Sequence, residues 1–281
     1  MFQAGRSNLL QSWAYGEAKS KTEGWKVNRV VIWQFNKPIA FVQILEKRFV
    51  FIRLFRVNRG PLFLKDSHSE LLESVTRLLV KELGVLKKGR LLSYAPELPI
   101  SGRILALMTK LGFRQFINCG WESIWFDLGE DQEVLRKKLN GKWRNMLSNA
   151  EMNGLSTELS SDLQNFEWLA NRCGQILKER GVSLPVKLYR QLNLEMISGQ
   201  KMQILKAISN KDPIAGICMV SHGNTATYLL GWSGEQGRRL KANHFLLWNG
   251  MMLLKKQGIR WFDLGGIDED KTPGISEFKL G

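Results

Sequence analysis

The chain has 281 residues, 44% hydrophobic and 24% charged, which supplies two domain cores and excludes a disordered or fibrous polymer. Its 41 Lys and Arg against 26 Asp and Glu leave a formal charge of +15 and a pI near 9.9, so a polyanion is the expected partner: nucleic acid, an anionic membrane met peripherally, or a phosphorylated substrate. The scattered Cys119, Cys173 and Cys218, with no CxxC spacing, exclude a disulfide framework and a thiolate zinc site.

A reducing cytoplasm is the simplest setting for such thiols, and His68, His222 and His244 form no metal-ligand motif and read as surface or satisfied histidines, so neither metal nor cofactor is expected. The first eight residues lack a basic segment followed by an apolar one, and no run of about 18 apolar residues occurs, so neither a secretion signal nor a membrane span is expected.

In chain order, residues 8–20 place Leu9, Leu10, Trp13 and Ala14 at helical spacing before Gly24. Residues 26–35, 39–47 and 49–56 read as strands of an antiparallel meander, with a turn at Asn36-Lys37-Pro38. Arg59-Gly60-Pro61 breaks it. Residues 67–86 carry Leu71, Leu72, Val75, Leu78 and Leu79 on one helical face. A buried strand at 90–94, a helix at 100–111 and a closing strand at 122–128 complete a first α+β unit over residues 1–128.

A charged helical stretch, 132–153, opens a second unit over 129–281. Helices at 162–180 and 185–197 precede strands at 202–209, 213–221 and 225–232, joined by Asn210-Lys211-Asp212 and His222-Gly223-Asn224 as hairpin turns. A helix at 242–257 leads into a strand at 261–264 that ends on Gly265-Gly266. Two α+β units of similar order suggest a duplicated fold without an evident sequence repeat.

The run Gln11-Ser12-Trp13-Ala14-Tyr15-Gly16-Glu17-Ala18-Lys19, followed by Gly24-Trp25-Lys26-Val27, resembles the opening of the Fem family of peptidoglycan bridge-forming aminoacyltransferases. Arg59-Gly60-Pro61 falls at that family's Gly-Pro turn, and Lys142-Trp143-Arg144 with Ala150-Glu151-Met152-Asn153-Gly154 resembles its basic helix. Trp248 lies on a helix before Phe262-Asp263-Leu264-Gly265-Gly266-Ile267, and the segment from Gly274 to Gly281 resembles the family's terminal active-site strand. The likeness runs in the expected order over nearly the whole chain. Ala95-Pro96-Glu97 stands where family members carry an Asp before the Pro, and the chain stops at Gly281, ahead of the strand with which some relatives return to the first domain, which fits a compact member or a shortened chain.

The resemblance implies two tandem GNAT-like (acyl-CoA N-acyltransferase-like) domains of the α+β class, with mixed, mostly antiparallel sheets. It implies transfer of an amino acid from aminoacyl-tRNA to the amine of a UDP- or lipid-linked muropeptide precursor, a step of cell-wall biogenesis that bears on cell shape. The first domain would bind the acceptor, and the second would carry the catalytic strand and a basic, tRNA-facing helix. Phe278 and Lys279 match the family's Phe-Lys pair at the reaction centre. An aminoacyl ester is already activated, so stabilising the tetrahedral oxyanion is the main task, and one placed cation can do it.

Lys19 aligns with a lysine that binds the precursor's diphosphate, and Trp13 shares its helix. Tyr189 lies near a substrate-contacting tyrosine, Lys187 near a phosphate-binding arginine, and Asp263, Gly265 and Gly266 at a strand end close to substrate. Arg136, Lys137, Lys138, Lys142 and Arg144 would meet the tRNA acceptor stem through its phosphates. Read by residue chemistry alone, Lys19 is a cation near a helix end, Tyr189 a core aromatic, Lys279 a lysine on an edge strand, and the 136–144 cluster a solvated face.

Two other functions remain open. An acyl-CoA-dependent N-acyltransferase would use the same fold with a Gly-rich pyrophosphate loop, for which the corresponding stretch is Gln236-Gly237-Arg238-Arg239-Leu240-Lys241-Ala242-Asn243, with Lys241 where the RxxGx[GA] pattern has Gly. A non-catalytic tRNA- or membrane-binding module would need the charge but not Lys279.

Overall fold

A computed structural model describes residues 5–64, 68–98, 101–116, 122–179, 181–267 and 273–280. Cys119 and Gly281, and the expected helix ends at 67, 100 and 180, lie outside them. The chain divides into two compact units, Met1–Gly120 and Trp121–Gly281, each with its own sheet.

The first unit opens with a short 3-10 turn, Leu9–Gln11, and helix α1, Trp13–Glu23. The expected single helix over 8–20 is broken because Ser12 is extended and caps α1, accepting from the Tyr15 N–H at 3.2 Å. Gly24, at φ +69°, closes α1 in the left-handed conformation. Strands β1 (Lys26–Gln34), β2 (Lys37–Arg48), β3 (Arg53–Asn58), β4 (Leu62–Phe63) and β5 (Arg90–Ala95) form a sheet in the order β1-β2-β3-β5, with β4 beside β2. The meander is antiparallel, whereas β5 joins β3 in parallel after helix α2, His68–Glu82.

Alternation along β2 sorts the two faces of the sheet. Ala40, Val42 and Ile44 join Phe55, Val57, Leu72, Val75 and Leu79 in one core, against which Ile104 and Leu107 of helix α3, Gly102–Lys110, also pack. Gln43 faces the other way and meets α1, so close that a Cβ on Gly16 would sit 2.3 Å from its Oε1. Residues 49–52, expected at the start of β3, form instead a turn between β2 and β3, closed by the Phe49 N–H on the Ile52 carbonyl at 2.8 Å.

The second sheet runs β6-β11-β10-β9-β8-β7. Its members are β6 (Glu122–Asp127), β7 (Ser156–Ser160), β8 (Lys201–Ser209), β9 (Asp212–His222), β10 (Thr225–Ser233) and β11 (Trp261–Ile267). Among the described residues of this sheet, only β10 and β11 pair in parallel. The strand expected to close the first unit at 122–128 is thus β6, hydrogen-bonded to β11, and the boundary expected at 128 falls ahead of it. β7, Ser-Thr-Glu-Leu-Ser, escaped the sequence reading because a mostly exposed edge strand carries no apolar alternation.

The helical stretch 132–153 is two helices, α4 (Gln132–Lys138) and α5 (Gly141–Met152), since Asn140 caps the second by accepting from the Trp143 N–H at 2.9 Å. Helices α6 (Leu163–Glu179) and α7 (Val186–Leu194), the one-turn α8 (Glu235–Arg239), α9 (Ala242–Lys256) and α10 (Pro273–Leu280) complete the unit. β9 is sandwiched between helices. A Cβ on Gly216 would strike Trp168 of α6, and one on Gly250 of α9 would strike Met219. Trp143 and Leu147 of α5, with Leu246, Leu247 and Met251 of α9, share the core with Ile217, Met219 and Phe262.

Candidate active site

β10 and β11 pair only from Thr225 to Thr227 against Trp261 to Asp263, and each strand has an irregularity just beyond. Gly265 takes φ +74° there, a conformation glycine adopts without strain. Asp263, buried, holds this bend by accepting from the Gly265 N–H at 2.8 Å and from Ser123 Oγ at 2.9 Å. Beyond the bend, backbone groups of β10 and β11 lose each other as partners.

Lys279 occupies this divergence. Its Nζ donates to the Gly266 carbonyl at 2.9 Å and stands 5.7 Å from the Tyr228 ring centroid, and the residue is 9% exposed. Burial lowers the Lys279 pKa, and the nearby Asp263 carboxylate opposes that shift. One of three ammonium N–H groups is used by Gly266, which leaves two for a developing oxyanion. The segment expected to be a terminal strand is the helix α10, so Lys279 arrives from a helix and not from a sheet edge.

Phe278, on the same turn of α10, lines a cavity of about 310 Å³ in this unit, together with Trp143, Ser233, Lys241, Asn243 and His244. Trp143 Nε1 donates to the Phe278 carbonyl at 3.0 Å and Lys142 pairs with Glu277, so α5 holds α10 in position. The His244 ring lies 5.0 Å from both the Trp143 and Phe278 rings.

Three buried polar atoms on the cavity-lining residues, Ser233 Oγ, Asn243 Oδ1 and His244 Nδ1, have no hydrogen-bond partner among the described residues. Buried polar groups are nearly always paired, so a concentration of unpaired ones at one cavity marks a place for a polar ligand. Burial pushes the His244 pKa down to about 4, with the charge of Lys241 acting in the same direction and a hydrogen bond with the Lys241 backbone opposing both, so the ring is neutral near pH 7. Gln200, Gln203 and Ser221 also carry unpaired buried atoms, but none of these residues lines the cavity.

His244 was expected to be a satisfied or surface histidine. His222 fits that description, bonded to Thr227 Oγ1 at 2.9 Å; His244 does not. The signal in sequence was its place, with Asn243, at the start of the helix after the Gly237–Lys241 stretch.

The remaining candidates are distributed differently. Lys19 pairs with Glu23 at 2.6 Å on α1, and Trp13 stacks against the Arg29 guanidinium at 3.6 Å. Tyr189 of α7 is half-buried, its pKa raised by burial and by the Cys218 thiol, while Lys187 is exposed. Neither lines the cavity.

Most of the 136–144 cations have internal partners. Arg136 binds Glu151 at 2.6 Å, Lys138 binds Glu130 at 2.5 Å, and Arg144 donates to the Lys137 and Leu139 carbonyls that end α4. Lys137 is exposed. No group of acidic, histidine or cysteine residues able to hold a metal occurs among the described residues.

The family model described as an acetyltransferase (GNAT) domain matches residues 135–279, just over half of the chain. The chain belongs to the GNAT acetyltransferase family. Among solved structures, this GNAT chain is similar to FemX at 15% identity and a TM-score of 0.76, over 99% of this chain and 89% of that one. It is also similar to L-PGS from Bacillus licheniformis (13%, TM-score 0.51, 93% and 78%). A tandem GNAT protein from the clavulanic acid biosynthesis pathway is a third (11%, TM-score 0.50, 95% and 83%). At these identities the likeness concerns the fold, and it bears out the expected α+β architecture of two tandem GNAT-like domains. No curated protein matches the sequence.

A GNAT domain that uses acyl-CoA presents free backbone amides to a pyrophosphate between the strand and helix that here are β10 and α9. In this chain the Arg238, Leu240 and Lys241 N–H groups are spent on the Gly234, Gln236 and Arg238 carbonyls. Lys241 itself takes φ +56°, and its side chain lines the cavity. The Arg238, Leu240 and Lys241 amides are thus withheld from a pyrophosphate, and a lysine stands where the acyl-CoA pattern has glycine.

Proposed function

We propose that this GNAT chain transfers an amino acid from aminoacyl-tRNA to the free amine of a peptidoglycan precursor peptide. The observation that carries the reading is the cavity that Phe278 lines next to Lys279 on α10: Lys279 itself is not among the lining residues, which include three cations (Lys142, Arg238, Lys241) and unpaired polar atoms. Such a lining suits the sugar and phosphate groups at the 3′ end of a charged tRNA. The resemblance to the Fem family, from the first helix to Phe278-Lys279, supports the same donor.

In this reaction the acceptor amine attacks the ester carbonyl carbon. The carbonyl π electrons move to oxygen, and the Lys279 ammonium stabilises that oxyanion. Collapse breaks the C–O ester bond, releases the ribose hydroxyl of the tRNA and leaves an amide on the acceptor, while the amine proton passes to solvent or to the leaving oxygen. Phe278 walls the donor end of the site. Asp263, Gly265 and Gly266 position Lys279.

The first unit would hold the acceptor through α1, where Lys19 would exchange Glu23 for the diphosphate of the precursor and Trp13 would bound the site. Tyr189 and Lys187 would contact substrate from α7. Of the basic cluster, exposed Lys137 is the residue most available to tRNA phosphate, while Arg136, Lys138, Lys142 and Arg144 would trade internal partners for it.

A transfer assay with charged tRNA or acetyl-CoA as donor, and a UDP-linked or lipid-linked pentapeptide as acceptor, tests this reading. Transfer from aminoacyl-tRNA alone is the expected result; acetyl transfer without aminoacyl transfer would replace the proposal with the acyl-CoA alternative.

A further inference from the structure

The first unit carries an exposed apolar prong that neither the acceptor site nor the catalytic centre uses. Phe49, Val50, Phe51 and Ile52 form the turn between β2 and β3, with Val50 88% and Phe51 87% exposed. Four consecutive solvent-facing apolar residues are not expected on a soluble surface unless they do something.

A second turn lies directly beside the prong. The Arg53 N–H donates to the Gly89 carbonyl at 2.8 Å, and a Cβ on Gly89, whose φ is +79°, would lie 2.5 Å from the Phe51 carbonyl. Glycine thus lets the 84–89 turn press against the prong, and that turn adds Leu86, 88% exposed. Around these apolar tips the segments 47–53 and 84–91 hold Lys47, Arg48, Arg53, Lys87, Lys88 and Arg90 and no carboxylate. Glu46, just outside, is buried and engages Arg48 and Arg53, while Lys47 donates to the Glu23 carbonyl and Arg90 to the Leu83 carbonyl; Lys87 and Lys88 are exposed and carry the free charge of the patch.

From this arrangement we infer that the paired turns are a docking surface for an anionic lipid bilayer. Apolar tips ringed by long basic side chains match the layering of such a membrane, with Phe49, Val50, Phe51 and Leu86 entering the acyl boundary and the lysine and arginine heads at the phosphate level. The inference does not rest on the choice of acyl donor. It gives the chain's positive charge a defined point of contact, and no helix among the described residues is long and apolar enough to cross a membrane.

The experiment is flotation of the full chain with vesicles of phosphatidylcholine containing about one-third phosphatidylglycerol, and with phosphatidylcholine alone, at low and high salt. Wild type should float with the anionic vesicles and release at high salt. Phe49→Ser/Phe51→Ser, checked for an unchanged thermal midpoint, should lose at least tenfold in partitioning. Lys87→Glu/Lys88→Glu should lose the preference for anionic lipid while keeping the fold. Wild type that fails to float, or a Phe49→Ser/Phe51→Ser variant that floats as wild type does, overturns the inference. So does sedimentation showing a wild-type dimer that the serine variant abolishes without a change in flotation, because the prong would then be a self-association surface.

Discussion

Two polar regions of this chain invite comparison, the underside of α1 in the first unit and the cavity mouth in the second. Under α1, Gln11 and Gln43 exchange hydrogen bonds with each other's backbone surroundings: Gln11 donates to the Asn58 and Gln43 carbonyls and accepts from the Gln43 N–H, and Gln43 donates to the Leu10 and Ser12 carbonyls. Arg29 closes the set, bonded to Gln43 Oε1, the Trp13 carbonyl and Glu17. At the cavity, Ser233, Asn243 and His244 each leave an atom unpaired. Polarity answered from within the protein stabilises the fold, whereas polarity left unanswered awaits a ligand, and a sequence displays both as the same polar letters.

If that contrast is sound, the second region responds to mutation in rate and the first in stability. Lys279→Ala should lower saturated turnover on the order of 100-fold, about 3 kcal/mol, because an oxyanion donor is engaged chiefly in the transition state. Its thermal midpoint should move little. In the wild type, the basic limb of the pH–rate profile assigned to Lys279 should fall below the ordinary lysine value of 10.5, since burial lowers its pKa and only the charged form stabilises an oxyanion. Lys279→Arg should move that limb upward, and turnover of Lys279→Ala at the wild-type rate would remove the catalytic assignment.

Gln43→Leu should destabilise the first unit by roughly 3 kcal/mol, because it leaves several buried partners unpaired. Urea unfolding checks this, and a loss within 0.5 kcal/mol or so would mean the network is not structural. The chemistry of the second unit should persist in whatever fraction remains folded.

The third effect is smaller and depends on pH. The folded-state pKa of His244 is depressed to about 4 from 6.5, so between those values the unfolded chain takes up a proton that the native ring refuses. Stability should therefore fall as pH drops from 6.5 towards 4, and His244→Phe should flatten that stretch of the curve. A carboxylate contributes at lower pH: burial raises the Glu46 pKa, but hydrogen bonds from Arg48, Arg53 and Asn28 outweigh this and bring it to about 2, so its stabilisation is lost from 4.5 downwards. Matched curves for wild type and His244→Phe between pH 6.5 and 4.5 would contradict the burial of a neutral His244.

What the sequence made legible follows from which physics is local. The long helices and central strands declared themselves through period, as with Leu72, Val75 and Leu79 on α2 or Ile217 and Met219 on β9. Breaks set by a single cap did not: Ser12 and Asn140 each divide what reads as one helix. β6 is legible as a strand but not as a member of the second sheet, because pairing with β11 across more than 130 positions leaves no local mark.

At the candidate site, Phe278, Lys279, Asp263 and the Gly-Gly bend were legible through the resemblance, although α10 replaces the expected strand. Ser233, Asn243 and His244 were not, since only the folded arrangement leaves their atoms unpaired. The basic cluster shows the converse: it reads as a free charged face, yet Arg136, Lys138, Lys142 and Arg144 are already engaged.

The most direct measurement is equilibrium binding of an acceptor-stem RNA carrying its amino acid through a non-hydrolysable amide, by wild type, Asn243→Leu and Lys19→Ala. The account predicts that Asn243→Leu keeps its folding stability, because a leucine removes an unpaired polar atom, while its affinity for the RNA falls tenfold or more, about 1.4 kcal/mol. Lys19→Ala should bind the RNA as wild type does. Equal RNA affinity for wild type and Asn243→Leu, or loss of stability in Asn243→Leu as large as that of Gln43→Leu, would contradict the assignment of the cavity to the donor.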